Sequence, residues 1–503
     1  MVQQNGIEKL PTGIPGFDHI SEGGLPRRRI TLVSGSAGTA KTVFACQFLA
    51  AGIQQRGQAG VFVTFEESID DIRRNMLGFG WDIATWEAEG KWSFIDASTA
   101  APETVVAGEF DLDALIARIH HAIRKTNAER VSIDSLGAIF SQFEDSRNLR
   151  MELFRIAHAL KQIGVTAIMT AERLEEYGTI ARYGIEEFVA DNVVILRNVL
   201  EEEKRRRTIE ILKYRGTSHR KGEFPFTIIP AHGITVIPLS ALELKQRSST
   251  IRLSSGNVNL DRMCGGGFFR DSVILVSGAT GTGKTLMATT FLAGGAMQGE
   301  RSLLFAFEES RDQLYRNAAG WGIDFDDLER RDLLRVVSVY PETAGLEDHL
   351  IAMQKMIAEF RPTRVAIDSL SALERVSTSK GFREFVISLT SFIKHQEIAG
   401  MYTATTPNLL GGSSITEGHI STITDSIILM RYVELFGEMR RGMTVLKMRG
   451  SMHDKEIREF KIDGAGMHIG APFRDVTGIL SGNFVHVNPS EIDRINQMFE
   501  DEE

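Results

Sequence analysis

The segment GATGTGKT (residues 278–285) matches the pattern G-x-x-x-x-G-K-[ST] of a phosphate-binding P-loop. The apolar run VILVS precedes it and LMATTFLAGG follows it, which is the strand–loop–helix context that such a loop requires. Its glycines let backbone N–H groups surround phosphate, Lys284 would neutralise the β- and γ-phosphates, and Thr285 would ligate Mg²⁺. The segment therefore predicts an α/β domain that binds ATP and Mg²⁺.

The loop belongs to a long internal repeat. GSAGTAKT (35–42) lies 243 residues before it, VFVTFEES (61–68) lies 242 residues before LLFAFEES (303–310), and RVSIDSL (130–136) lies 234 residues before RVAIDSL (364–370). ILKYRGTSH (211–219) and VLKMRGSMH (445–453) are also 234 residues apart. Because the order is kept and the offset drifts little, the chain is a tandem duplication of a domain of about 240 residues.

Each copy alternates short β-branched runs with amphipathic stretches. In the first copy, helices are predicted at 114–125 and 152–164, and buried parallel strands at 30–35, 61–65, 131–136, 167–171 and 193–197. This alternation predicts two doubly wound, mainly parallel α/β sheets with helices on both faces. The predicted domains are residues 1–240 and 253–477, joined by a linker at 241–252 and followed by a flexible tail at 478–503.

Composition excludes several classes of protein. The chain has 503 residues, of which 43% are hydrophobic and 24% charged, and its net charge of −9 provides no basic footprint for nucleic acid. No apolar run approaches the roughly 18–20 residues of a membrane span, and the N-terminus lacks a secretory signal. The two cysteines, Cys46 and Cys264, have no metal-ligand spacing. We expect a cytoplasmic protein with buried thiols.

The first loop differs from the second at one glycine. Ala40 stands where the second loop has Gly283. A methyl group costs little there if φ is negative and strains the loop if φ is positive. Nucleotide binding is still predicted in both copies. The expected loop contacts are Gly38, Thr39, Lys41 and Thr42 in the first copy, and Thr280, Gly281, Thr282, Gly283, Lys284 and Thr285 in the second.

Two aspartates end apolar strands at the Walker B position. Asp134 and Asp368 follow the runs VSI and VAI. With the loop hydroxyls of Thr42 and Thr285, they would hold Mg²⁺ directly or through water. The alternative is that each aspartate caps the following helix.

Paired glutamates also follow a strand in each copy, at Glu66–Glu67 and Glu308–Glu309. Ligand sites of α/β sheets form at the carboxyl ends of strands, so one member of each pair could be the general base. Glu308 is also a candidate Mg²⁺ ligand. The alternative is a solvated strand end.

Two cations recur two residues apart, Lys213 with Arg215 and Lys447 with Arg449. On a strand, such residues share a face and could grip a phosphate together. They follow their own P-loops by more than 160 residues, and cations of this kind often act on a neighbouring subunit, which would require a ring. A plain surface cation pair is the alternative.

Together, these motifs resemble the RecA-like ATPases of the KaiC family of clock proteins. The resemblance covers about residues 8–485 and includes ARYGIEEFVADNVVILRNVLE (181–201), RGTSHRKGEFPFTI (215–228), MCGGGFF (263–269) and HISTITDSIIL (419–429). It implies a double-ring homohexamer with ATP between subunits. The N-terminal ring would be a slow ATPase, and the C-terminal ring a Ser/Thr autokinase and autophosphatase.

The resemblance also assigns residues. Ser421 and Thr422 match the adjacent phosphoacceptors of the family, and Thr416 matches an accessory site. Glu308 and Glu309 match the kinase acids, and Glu66 and Glu67 match those of the ATPase. The further nucleotide contacts it implies are Thr217 and His219 in the first copy, and Trp321 and Arg441 in the second.

The acceptor segment differs between the copies. TEGHISTITD (416–425) carries hydroxyls where RYGIEEFVAD (182–191) has Glu187 and Phe188, so only the second copy could accept phosphate. GEFDLDALI (108–116) resembles the region where the family binds KaiB. The C-terminal sequence does not resemble the tail that KaiA grips, so our hypothesis is a timer without KaiA.

Two other functions share this fold. A RecA- or RadA-like DNA-repair ATPase is disfavoured by the acidic charge and by the absence of a basic, aromatic-laced DNA loop. An ATP-gated signalling scaffold is disfavoured by the intact set of Lys284, Thr285, Glu308 and Asp368.

Overall fold

The computed structural model describes residues 7–97, 112–137, 146–181, 189–201, 204–237, 248–406, 420–474, 476–479 and 485–486. The chain divides into two compact units, Met1–Ala241 and Leu242–Glu503. Each unit is built on a nine-stranded sheet. The predicted class, two mainly parallel α/β sheets, is confirmed.

The first unit follows the strand–helix alternation of the sequence. Its helices are α1 (Phe17–Ile20), α2 (Lys41–Arg56), α3 (Ile69–Leu77), α4 (Ile83–Ala88), α5 (Leu112–Thr126) and α6 (Ser146–Ile163). Its strands are β1 (Lys9–Leu10), β2 (Leu25–Pro26), β3 (Ile30–Gly35), β4 (Gly60–Thr64), β5 (Trp92–Asp96), β6 (Arg130–Asp134), β7 (Thr166–Glu172), β8 (Asn192–Glu201), β9 (Lys204–Tyr214), β10 (Glu223–Ile229) and β11 (Gly233–Val236).

The second unit repeats this order. Its helices are α7 (Val258–Met263), α8 (Lys284–Ala296), α9 (Arg311–Gly320), α10 (Phe325–Arg330), α11 (Leu346–Phe360), α12 (Leu370–Arg375), α13 (Ser379–His395) and α14 (Ile420–Ile423), with a 3₁₀ turn at Pro341–Thr343. Its strands are β12 (Arg252–Leu253), β13 (Phe268–Phe269), β14 (Val273–Gly278), β15 (Ser302–Ala306), β16 (Leu334–Ser338), β17 (Arg364–Asp368), β18 (Ala399–Thr405), β19 (Ser426–Leu435), β20 (Glu438–Met448), β21 (Arg458–Asp463), β22 (Gly466–Pro472), β23 (Val476–Thr477) and β24 (Val485–His486).

The two large sheets have the same topology. The first runs β11-β10-β9-β8-β3-β7-β6-β4-β5, and the second runs β22-β21-β20-β19-β14-β18-β17-β15-β16. The strand that leads into the P-loop is the fifth of nine in both. Six strands on one side are parallel, and the long antiparallel hairpins β8–β9 and β19–β20 begin the other side.

Both faces of the sheet are buried, as its continuous apolar strands require. In β4, Val61 and Val63 belong to one core cluster while Phe62 belongs to the cluster on the other face. This double burial fixes the register, because a shift of one residue would exchange the two faces.

A buried arginine begins the Walker B strand in each unit. Arg130 is 1% exposed and donates to the carbonyls of Phe48 and Pro11, while Arg364 is fully buried and donates to those of Ser254 and Phe291. Desolvation lowers the pKa of Arg130 to about 10. These arginines tie the strand to the helix that follows the P-loop, since Phe48 and Phe291 lie in α2 and α8.

Neither cysteine is in a disulfide, and both Cys46 and Cys264 are buried, as expected. A bilayer span needs about 20 apolar residues in a helix. No helix within the described ranges meets that length and apolarity.

Candidate functional site

The second P-loop places its lysine against the loop backbone. Lys284 begins α8, and its Nζ donates to the carbonyl oxygens of Gly278 and Ala279 at 2.9 Å each. Gly283 has φ 105°, which favours glycine, and a Cβ there would lie 2.6 Å from Ile462 Cδ1. Burial lowers the pKa of Lys284, opposed by the charges of Asp368 and Glu308.

The first P-loop has the same hydrogen bonds around a less favourable residue. Lys41 Nζ donates to Gly35 O at 3.0 Å and to Ser36 O at 2.9 Å. Ala40 adopts φ 71°, the left-handed region, so the strained alternative is the one that applies. Such a conformation costs a non-glycine residue about 1–3 kcal/mol. The fold holds the loop in shape despite the missing glycine.

The Walker B aspartates contact the P-loop hydroxyls. Thr42 Oγ1 donates to Asp134 Oδ2 at 2.7 Å, and Thr170 donates to Oδ1 of the same carboxylate. Asp368 accepts from Thr403 and Thr285, and burial raises its pKa. The helix after Asp368 has Ser369 as its N-cap, so Asp368 is not its cap. A carboxylate paired with a P-loop hydroxyl fits the donor set of Mg²⁺.

The paired glutamates are held differently in the two units. In the first, Ser135 Oγ donates to Glu66 Oε1 at 2.7 Å. In the second, Arg375 pairs with Glu308 at 2.7 Å, and Asn317 Nδ2 donates to Glu309 Oε2 at 2.9 Å. Burial, with Asp134 or Asp368 adding repulsion, raises the pKa of Glu67 and of Glu309. A raised pKa on one acid of each pair would suit proton transfer.

The acids and the loop share one cavity in the first unit. It has a volume of about 290 Å³ and is lined by the P-loop, the Walker B strand end and the glutamate pair. Glu172, at the end of β7, also lines it and was not predicted. The repeat could have flagged this position, because Gly35 pairs with Glu172 where Gly278 pairs with Thr405.

The recurring lysines lie near the amino-terminal ends of the parallel strands, opposite the ends that carry the P-loops. β8 runs parallel to β3, and β9 returns antiparallel, so Lys213 is level with the start of β3 and not with the P-loop that follows Gly35. Lys447 is placed in the same way relative to β14. The prediction that each pair sits on a strand is wrong for the arginines, because β9 ends at Tyr214 and β20 ends at Met448. The chain turns there, at Gly216 and Gly450, both with positive φ.

The second pair of cations contacts the predicted phosphoacceptors. Lys447 Nζ donates to the carbonyl oxygens of Ser421 and Thr424 at 2.7 Å each, and Arg449 donates to that of Thr422 at 2.9 Å. Ser421 is 9% exposed, whereas Thr422 is exposed. The short helix α14 thus ends on two cations, which favourably satisfy its last carbonyls.

The other nucleotide contacts implied by the resemblance divide between the two ends of the parallel strands, the end with the cations and the end with the P-loop. Thr217 and His219 follow Arg215, and burial lowers the pKa of His219, whose ring packs on Tyr214. Arg441 lies over the ring of Tyr432, whose hydroxyl would be 2.7 Å from a Cβ on Gly281. Trp321 packs on the same core cluster as Ile462 beside Gly283. Arg441 and Trp321 therefore belong to the P-loop side.

Several predicted features lie outside the described residues. They are Thr416, Arg182, Glu187, Phe188, residues 238–247 of the junction, residues 108–111 of GEFDLDALI, and the tail apart from 478–479 and 485–486.

Sequence reasoning missed two aspartates beside the cations. Asp191 Oδ1 lies 3.9 Å from Arg215 Nη1, and Asp425 Oδ1 lies 3.9 Å from Arg449 Nη1. Their signal was available, since both end aligned segments of the repeat, RYGIEEFVAD and TEGHISTITD.

A central strand that feeds a P-loop, a Walker B strand separated from it by one strand, and a glutamate pair define, twice over, a RecA-like P-loop ATPase. The family model described as "ATPase: KaiC" matches residues 10–241 and again 253–473. The chain belongs to the KaiC family.

Its relatives carry clock descriptions. It is 68% identical to the circadian clock protein KaiC3 of Synechocystis sp. over 500 residues, which cover 99% of both chains. It is 58% identical to the circadian clock oscillator protein KaiC of Thermostichus vulcanus, over 96% of this chain and 93% of that one. For the KaiC of Synechococcus elongatus the identity is 55%, over 99% and 95%.

Proposed function

We propose that this chain forms a homohexameric double ring that acts as a cytoplasmic clock or timer. In this proposal the N-terminal ring slowly hydrolyses ATP. The C-terminal ring is a Ser/Thr autokinase and autophosphatase whose own substrates are Ser421 and Thr422. Mg-ATP is the co-substrate in both rings.

One observation carries the proposal. Lys447 and Arg449 hold the backbone of the Ser421–Thr424 segment at the start of β19, whereas the P-loop and Glu308 follow the carboxyl ends of the parallel strands β14 and β15. A chain built in this way separates its hydroxyls from its own base. The surface that carries the Ser421–Thr424 segment can instead meet the P-loop surface of a second copy. Head-to-tail contacts of that kind can close into a ring.

The residues have complementary roles in such an interface. Lys284 and the loop N–H groups of one chain would bind the β- and γ-phosphates, and Thr285 with Asp368 would hold Mg²⁺, which would supply positive charge at those phosphates. Glu308 takes the proton of the acceptor hydroxyl as the O–P bond forms and the bond to the β-phosphate oxygen breaks. Lys447 and Arg449 of the acceptor chain face the transferred group.

Phosphorylation changes the charge at this interface. Each phosphate adds about −1.5 to −2 charge next to Lys447 and Arg449, whose side chains now donate to carbonyl oxygens, with Asp425 3.9 Å from Arg449. The new anion would draw these cations away from the neighbour's ATP and alter ring packing. The reverse transfer, or hydrolysis, would restore the first state.

The first unit is proposed to hydrolyse ATP only, because Glu187 and Phe188 occupy the acceptor positions and cannot carry phosphate. We further propose that it binds a KaiB-like protein through the region around 108–116. The KaiA-independent timer remains a hypothesis, and binding of purified KaiA to the C-terminal residues with a rise in phosphorylation would contradict it.

The first experiment is phosphopeptide mass spectrometry of residues 411–431 after incubation with Mg-ATP. Phosphate is expected on Ser421 or Thr422 in the wild-type protein and not in Glu308→Gln. A mixture of Glu308→Gln chains with Ser421→Ala/Thr422→Ala chains should regain phosphate, because each supplies what the other lacks.

The outcomes separate the parts of the proposal. Phosphorylation of the wild type without recovery in the mixture would place the reaction within one chain. ATP hydrolysis without any phosphate on this peptide would leave two ATPase rings and no kinase.

A further inference from the structure

Asp425 connects the acceptor segment, the cations and the central strand. Its Oδ2 accepts the backbone N–H of Val273 at 2.9 Å, and its Oδ1 accepts from Lys394 Nζ at 2.8 Å. The same carboxylate lies 3.9 Å from the guanidinium of Arg449, and its carbonyl oxygen accepts the Arg449 backbone N–H at 2.9 Å. Asp425 directly follows Thr424, so one residue joins α14, β14 and the end of β20.

The first unit contains the same arrangement. Asp191 accepts the backbone N–H of Ile30 at 3.2 Å and Lys161 Nζ at 2.9 Å, and it lies 3.9 Å from Arg215. Its carbonyl oxygen accepts the Arg215 N–H at 3.3 Å. Both side chains are largely buried, with 8% exposed for Asp191 and 17% for Asp425. The recurrence in two units of different sequence indicates a shared task.

We propose that Asp425 and Asp191 are positioning residues: each holds the cation pair that acts on the neighbouring subunit's ATP, and Asp425 also fixes the phosphoacceptor segment to those cations. The inference rests on the proposed function. It means that the acceptor hydroxyls and the cations reach the neighbour's γ-phosphate as one preorganised unit.

The charge balance around Asp425 explains why a carboxylate is needed. Lys394 donates a hydrogen bond to the carboxylate, and Arg449 lies 3.9 Å from it. Lys447 donates to the carbonyl oxygens of Ser421 and Thr424, which precede Asp425 in the chain. One buried anion among three cations keeps them together, and without it their mutual repulsion would spread them. A misplacement of about 1 Å in such a group can slow a reaction about a hundredfold.

A purely structural role would predict something else. If Asp425 only capped the N–H of Val273, its loss would loosen the whole unit, whichever part that chain supplied. Asp425→Asn has nearly the same shape and keeps an acceptor for that N–H, but it removes the charge. The mixed-chain assay separates the two roles, because each chain there contributes either the hydroxyls or the base.

The test measures the rate of Ser421 and Thr422 phosphorylation in mixed rings at saturating Mg-ATP. Asp425→Asn in the chain that supplies the hydroxyls should lower the rate at least tenfold. The same substitution in the chain that supplies Glu308 should change it less than twofold. An equal loss in both placements, or no loss in either, would overturn the inference for Asp425.

Asp191→Asn is the matched control. It should lower ATP hydrolysis by the first ring with little change in the KM for ATP, while phosphorylation at Ser421 and Thr422 stays within twofold. Loss of phosphorylation comparable to that of Asp425→Asn would show a general effect on assembly and contradict the proposal.

A second variant covers the case in which Asp425→Asn does not assemble. Lys394→Gln leaves the Val273 contact intact but removes the partner that orients the carboxylate, and a loss of about threefold is expected, again only in the hydroxyl-supplying chain. An unchanged rate would count against the inference. If the wild-type protein gives no phosphopeptide, the proposed kinase is wrong. The measurement of ATP hydrolysis with Asp191→Asn then still decides whether Asp191 is a positioning residue.

Discussion

The two units have the same sheet topology and the same P-loop geometry, but they differ in how they hold their glutamates. Glu66 receives a hydrogen bond from the neutral Ser135 hydroxyl, whereas Glu308 is paired with the cation of Arg375. Ser369, the counterpart of Ser135, has a buried hydroxyl without a hydrogen-bond partner among the described residues. A duplicated scaffold can therefore diverge in chemistry through the residues around an unchanged acid.

The largest expected effect concerns the glutamates themselves. Glu66→Gln with Glu67→Gln should lower ATP hydrolysis by the first ring by about 10²–10⁴, the usual contribution of a general base, and leave phosphorylation intact. ADP release is measured in a Glu308→Gln background, and phosphorylation in the otherwise wild-type chain. Equal loss of both activities would mean that the two units do not work separately.

Removal of the serine hydroxyls sharpens the comparison. Ser135→Ala should lower hydrolysis by the first ring about tenfold, because Glu66 loses the contact that orients it. Ser369→Ala is the matched control and should change phosphorylation by less than twofold, since that hydroxyl is not bonded to Glu308 in the described structure. A large effect of Ser369→Ala would show that the two glutamates depend on the same neighbour after all.

Exchange of the loop residues tests the strain at Ala40. Gly283→Ala should destabilise the second unit by about 1–3 kcal/mol, since φ 105° disfavours any side chain and the Cβ would approach Ile462. Ala40→Gly relieves strain at φ 71° but adds chain entropy to the unfolded state, so a gain of at most about 1 kcal/mol is expected. Thermal unfolding with and without ATP checks both, and stabilisation by Gly283→Ala would refute this account of the loops.

The smallest expected effect depends on pH. The pKa of Glu309 is raised above 4.5 chiefly by burial, so folding favours its protonated form and is opposed by ionisation. Glu309→Gln, which can still accept from Asn317, should therefore raise Tm at pH 7 by about 1–2 °C. The gain should fade as the pH falls through the raised pKa towards 4.5, because the wild-type carboxyl becomes protonated over that range. A gain that persists at low pH would point to packing instead.

Much of the fold follows from local patterns. β3 matches its predicted limits, and β4, β6 and β7 differ from theirs by one or two residues. Apolar runs bounded by turn residues define such strands without knowledge of their partners. The strands β9–β11 and β20–β22 were not predicted as a set, because half-exposed antiparallel strands rich in charge have weak patterns.

Only part of the candidate site could be predicted, because local patterns identify contiguous motifs and not contacts between distant segments. A P-loop is contiguous, so Lys284, Thr285 and their counterparts can be read from eight residues. The site residues whose contacts are distant in sequence are Ser135, Arg375, Asp191 and Asp425. The bond from Thr42 to Asp134 spans 92 residues, and that from Arg375 to Glu308 spans 67.

The sequence by itself determined the duplication, the class of each domain, the two phosphate loops and the difference in hydroxyls between the copies, since these depend on neighbouring residues and on repeat spacing. Tertiary structure alone decided that Ala40 has a left-handed backbone conformation and that the two glutamate pairs have different hydrogen-bond partners. It also decided that Lys447 and Arg449 contact the Ser421–Thr424 segment at the strand ends opposite the P-loop. The physical reason is that register and strand direction, which place distant side chains together, are set by packing over the whole sheet.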